Sequence, residues 1–92
     1  MKVPSKNTSG KGTKRRMDEE GLEMLGQRIR EVRKQKNMSQ EDLADVSGLA
    51  LSQIGRMERG EINATLSSVF SISRGLEIEV STLFTFKLKK IN

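Results

Sequence analysis

Residues 51–56 place Ser52, Gln53 and Arg56, flanked by Leu51 and Gly55, on the outer side of a short amphipathic stretch. Uncharged polar and small side chains with a single arginine are unusual on a helix that only meets water, where Lys and Glu normally dominate. Hydroxyl, amide and guanidinium groups make directional hydrogen bonds, which suits recognition. Catalysis finds less support. The chain has no cysteine and no histidine, which excludes disulfides, thiolate and imidazole metal sites, and Cys or His nucleophile–base pairs. Nor is there a carboxylate pair in a recognisable pocket pattern, so the chain reads as a non-enzyme with no cofactor, no metal and no evident small-molecule ligand.

The residues on either side of this stripe specify how it is held. In residues 40–59, Ala44 is the small residue at which two helices must approach closely, and Gly48, four positions on, is the turn. Ile54 and Met57 form the apolar pair that seats the second helix on the first. This spacing is that of a helix-turn-helix, an arrangement that offers one exposed helix to the major groove of DNA.

The rest of the chain predicts a compact all-α bundle of four to five short helices. Leu22, Leu25, Ile29 and Val32 recur at three- and four-residue steps and predict a helix over residues 19–36. Acidic residues crowd its start and Arg33, Lys34 and Lys36 its end, as the helix dipole favours, and Asn37 suits a left-handed stop. Ser39 and Asp42 form a variant capping box for the next helix, in which Leu43, Ala44 and Val46 face inward. A third helix runs from residue 50 or 51 to 59, stopped by Gly60. Its start at Ala50 lacks a capping side chain, and Gly55 lies inside it; each typically costs about 1 kcal/mol. Gly55 either admits close approach of the backbone to DNA or is merely tolerated. Thr65 can cap a fourth helix carrying Leu66, Val69, Phe70, Ile72 and Leu76, with Gly75 weakening its end. A final amphipathic piece covers residues 80–86.

Ninety-two residues, of which 34% are apolar and none is Trp or Tyr, suit one small domain with a modest core. Such a domain often gains stability from a partner subunit, so a dimer is plausible on size alone. The net charge of +5 is concentrated at the two ends. Residues 1–17 carry six basic and no acidic side chains and lack an apolar period. The organisation is therefore a disordered basic arm over residues 1–18, a domain over 19–86 with the motif at 40–59, and a basic tail over 87–92. The arm is either a phosphate-binding element or a passive tail. The domain itself is close to neutral, so attraction to phosphate must come from local patches. With no transmembrane run and no secretory signal, the expectation is a cytoplasmic protein without membrane contact.

The sequence resembles the phage-repressor-like helix-turn-helix family, the group of Cro and the lambda and 434 repressors. The resemblance covers about residues 22–85. Residues 25–30 with Arg33, residues 38–44, residues 54–60, Thr65 with Leu66, and the stretch from Leu76 to Phe84 carry it. Within that family the chain is most similar to small stand-alone regulators, including the controller proteins of restriction–modification systems.

The resemblance implies roles for particular positions. Arg33 and Glu58 match a structural ion pair between the first and third helices. Gln40, at the start of the second helix, matches a phosphate contact, where free amides favour an anion, and Ser39 beside it is a further candidate phosphate contact. Leu51, Ser52, Gln53 and Arg56 match or flank base-reading positions. Arginine can bond guanine O6 and N7 together, glutamine can do the same with adenine N6 and N7, and Leu51 could pack on a thymine methyl. Arg59 and Asn63 match the loop that meets the sugar–phosphate backbone, while Arg28 and Arg30 face either phosphate or solvent.

These features imply a transcriptional regulator that binds double-stranded DNA sequence-specifically as a homodimer, on a roughly palindromic operator. Leu76 and a set of C-terminal apolar residues, Ile78, Val80, Leu83, Phe84 and Phe86, are more than a closing helix needs and form the expected dimer interface. The alternative is a protein-interaction module, antitoxin- or coactivator-like, built on the same scaffold.

Overall fold

In the computed structural model, which describes residues 17–90, four α-helices follow one another with no strand among the described residues. They are α1 (Glu19–Gln35), α2 (Gln40–Ser47), α3 (Leu51–Glu58) and α4 (Leu66–Leu76), followed by a single 3-10 segment, Val80–Phe84. Residues 1–16 of the expected arm, and Ile91 and Asn92 of the tail, lie outside the described residues. No described helix is long and apolar enough to cross a membrane.

Each boundary has a local cause. Asp18 caps α1 by accepting a hydrogen bond from the Gly21 N–H at 2.9 Å. Past its other end, Asn37 takes φ 57°, the left-handed conformation that asparagine tolerates. The capping box at α2 is complete. The Ser39 hydroxyl accepts from the Asp42 N–H, and an Asp42 carboxylate oxygen accepts from the Ser39 N–H, both at 2.9 Å. Gly48 follows at φ 73°, where a side chain would be strained, and this lets α2 turn into α3. Thr65 caps α4 through the Ser68 N–H. The left-handed stop after α4 falls on Glu77 and not on Gly75.

The core draws on every element. Leu25, Ile29 and Val32 of α1 meet Leu43 of α2, Ile54 and Met57 of α3, and Val69, Ile72 and Leu76 of α4. Leu83 from the 3-10 segment closes it and is fully buried. Two glycines within helices permit close helix–helix crossings. A Cβ on Gly26 would lie 2.4 and 2.5 Å from the Met57 and Glu58 carbonyl oxygens, so α1 touches the backbone of α3 at this point. At Gly75 a Cβ would lie 2.9 Å from Val46 Cγ2. Val46 therefore packs beside α4, but it remains 53% exposed, not inward-facing as its position in the pattern suggests.

The C-terminal piece is shorter than the residues 80–86 that its apolar pattern predicts, because after Phe84 the chain leaves the helical conformation. Arg28 fixes the 3-10 segment to α1. Its Nε and Nη2 donate to the Thr82 carbonyl at 3.2 and 2.9 Å, and its Nη1 reaches Glu31 at 2.7 Å. Arg28 is thus a structural link, not an outward-facing phosphate contact.

Candidate nucleic-acid interface

Helix α3 cannot stand alone. It has eight residues, about 12 Å of helix, and no capping side chain at Ala50. Isolated helices of this length are not stable in water, so tertiary contacts must hold it. Ile54 and Met57 anchor its inner face in the core.

Glu58 anchors its end. The Arg33 guanidinium donates from Nε to Glu58 Oε2 at 2.6 Å and from Nη2 to Oε1 at 2.9 Å. Its remaining nitrogen, Nη1, donates to the Met38 carbonyl at 2.8 Å, so one arginine ties together α1, the α1–α2 loop and α3. Both charged side chains are buried. Hydrogen bonding to Glu58 holds Arg33 protonated even more firmly than usual, against the opposing effect of burial. Gln40 joins this group, donating from Nε2 to Glu58 Oε1 at 3.0 Å. Its side chain therefore braces the ion pair from the first turn of α2, a commitment that its position in the sequence does not reveal.

The opposite face of α3 is open. Leu51, Ser52 and Arg56 are exposed and Gln53 is half-buried. Ser52 and Arg56 are four residues apart and Gln53 and Arg56 three, so the three side chains share one face. Arg56 donates no hydrogen bond within the described residues. Gly55, expected on this outer side, is instead buried.

Arg59 follows α3 directly. Its Nε and Nη2 donate to the two carboxylate oxygens of Glu61 at 2.9 and 3.2 Å, with both residues exposed. The bond from Arg59 lowers the Glu61 carboxyl below its ordinary value, and the charges of Arg59 and Arg56 add to this. Arg59, Gln40 and Gly55 lie together, whereas Asn63 is set apart. It lines an open depression of about 250 Å³ with Asp18, Gly21, Leu22 and Leu25 of α1 and with Phe84, Phe86 and Leu88.

The expected dimer surface is only partly available. Leu83 and Leu76 are core residues, and Ile78 and Phe86 are half-buried against the core. Val80 and Phe84 are exposed. The sequence pattern missed Leu66, 67% exposed, and Phe70, one helical turn further along α4. Phe70 and Val80, with Ser73 and Arg74, line a shallow depression. The buried Ser73 hydroxyl has no hydrogen-bond partner among the described residues. The available signal was the helical spacing of Leu66 and Phe70, set off from the Val69–Ile72–Leu76 stripe that enters the core.

Residues 29–83 match a family model described as helix-turn-helix. The control protein C.SmaI of Serratia marcescens is 41% identical over 63 residues, which cover 68% of this chain and 75% of that protein. The control protein C.BamHI of Bacillus amyloliquefaciens is 38% identical over 64 residues, covering 68% of this chain and 79% of that protein. Among solved structures, the restriction-modification controller protein C.AhdI from Aeromonas hydrophila is similar, with a TM-score of 0.67 and 44% identity. That match covers 68% of this chain and 96% of the other.

Proposed function

This chain belongs to the helix-turn-helix family of DNA-binding transcriptional regulators, and on that premise we propose that it binds a roughly palindromic operator as a homodimer, with α3 in the major groove. One observation carries the reading. The inner face of α3 is locked by Ile54, Met57 and the Arg33–Glu58 pair, while Ser52, Gln53 and Arg56 stand together on the open face. Arg56 is the principal base reader, Gln53 and Ser52 assist, and Leu51 contributes apolar contact at the edge. Ser39 and Gln40 at the start of α2, with Arg59 beyond α3, meet the phosphates.

Eight residues of helix span too few base pairs for useful discrimination among genomic sites, which argues for two copies on one operator. Leu66, Phe70 and Val80 are the apolar surface that supports such pairing. The resemblance to control proteins makes the operator of a restriction–modification system the preferred target, reached in the cytoplasm.

Selection of bound fragments from random duplex DNA tests the reading. The expected result is a two-fold site with half-sites about one helical turn apart. Binding is expected to weaken by several decades between about 50 and 200 mM salt if roughly six phosphates are contacted. Failure to enrich any palindromic sequence, or binding that is insensitive to salt, would favour the protein-interaction module instead.

A further inference from the structure

Gly55 is at odds with its surroundings. Glycine inside a helix is unfavourable relative to alanine, and α3 is already short and uncapped. Nor does the residue give the DNA-facing side an approach to bare backbone, because Gly55 is buried. The cover is the Arg59 side chain. A Cβ at Gly55 would lie 3.1 Å from Arg59 Nη1 and 3.8 Å from both Arg59 Nη2 and Gln40 Oε1. The first distance is tighter than ordinary van der Waals contact, so any side chain at position 55 must displace the guanidinium.

The same guanidinium is fixed on its other edge. Nε and Nη2 are taken by Glu61, leaving Nη1 as the nitrogen that rests over Gly55. Arginine has many rotamers, and ordering it in advance lowers the cost of binding a phosphate. We infer that Gly55 is a positioning residue for DNA binding: its missing Cβ forms the seat that holds the Arg59 guanidinium beside Gln40, ready for a backbone phosphate. The inference rests on the reading of Arg59 as a phosphate contact.

Stability and binding are then expected to move in opposite directions. Gly55→Ala adds helix propensity and pushes Arg59 by a few tenths of an ångström. Gly55→Val pushes further. The test is a double-mutant cycle in which Gly55→Ala and Gly55→Val are each made with Arg59 present and with Arg59→Ala. Binding to a labelled random-sequence duplex is measured by fluorescence anisotropy over a salt series, with thermal unfolding alongside. With Arg59 present, Gly55→Val is expected to weaken binding about tenfold and to flatten the slope of log K against log salt by about 0.9, the signature of one phosphate contact. Gly55→Ala is expected to give a smaller loss in the same sense, with a thermal midpoint unchanged or raised. In the Arg59→Ala background neither substitution is expected to cost anything further.

An equal loss in the Arg59→Ala background would overturn the inference, since Gly55 would then act on DNA directly. Undiminished binding by both Gly55 variants with Arg59 present, where Arg59→Ala alone weakens it, would overturn the inference and leave the phosphate reading of Arg59 standing. An Arg59→Ala variant that binds as the parent does would overturn both.

Discussion

The Arg33 guanidinium and the Glu58 carboxylate meet through two hydrogen bonds of 2.6 and 2.9 Å, buried between α1 and the last residue of α3. The pair sets the angle at which the open face of α3 is presented. A buried pair adds little net stability over a well-packed apolar replacement, but removing one partner leaves an uncompensated charge. Arg33→Met is therefore expected to destabilise the fold by about 3–5 kcal/mol, and Arg33→Met with Glu58→Leu by much less. Urea unfolding of the two variants measures this. Equal losses would mean that the charges are not coupled. The double variant is still expected to bind DNA poorly, because the Gln40 bond to Glu58 and the fixed angle of α3 are lost with the pair.

The capping box makes stability depend on pH. The backbone N–H of Ser39, with its hydroxyl second, holds the Asp42 carboxyl below its ordinary value. Ionised Asp42 thus stabilises the folded state at neutral pH. That contribution is full above the usual carboxylate range and is lost as pH falls through the lowered folded value. Stability of the parent protein is expected to decline more steeply in acid than that of Asp42→Asn, which has no carboxylate to protonate. Parallel stability–pH curves for the two proteins would show that the box contributes nothing through this charge.

The scaffold was more legible in the sequence than the site. Ser39, Asp42, Gly48 and Thr65 act through their immediate neighbours, so a short window is enough to read them. Ile54 and Met57 follow from helical period alone. Burial of Leu83 and exposure of Val46 depend instead on which distant element covers them, and period cannot tell that. Leu83 reads as a surplus apolar residue until the 3-10 segment folds under α1 and α4. The same holds for Gln40 and Arg28, whose partners, Glu58 and Thr82, lie 18 and 54 positions away. Gly26 shows the limit most directly: its position in α1 is unremarkable until the carbonyls of Met57 and Glu58 are seen against it.

The distinction between core and surface separates two variants of the C-terminal apolar set. Leu83→Ala removes a fully buried side chain and is expected to cost about 2–5 kcal/mol of stability, without an interface contact being lost. Phe70→Glu changes an exposed residue on α4 and is expected to leave the monomer folded while abolishing self-association. Equilibrium sedimentation paired with thermal unfolding reads both. A Phe70→Glu protein that still forms dimers would move the interface away from Leu66, Phe70 and Val80.

Arg56 and Arg59 lie three residues apart at one end of α3, yet their surroundings suit them to different tasks. Arg59 is held by Glu61, and a guanidinium held to one side of the helix suits a phosphate, which every DNA sequence presents alike. Arg56 donates to no group within the described residues and shares its face with Ser52 and Gln53, so its two-pronged donor set is available to the O6 and N7 of one guanine. Arg56→Ala is accordingly expected to lose about 1–3 kcal/mol on the selected operator, and nearly all of that loss is expected to vanish when the contacted base pair is changed. Arg56→Lys keeps the charge but not the paired donors, and is expected to recover the salt dependence without the base preference. Binding of the three proteins to operators varied one base pair at a time would decide it. A uniform loss across all sequences in Arg56→Ala would make Arg56 a second phosphate contact and move base reading to Gln53 and Ser52.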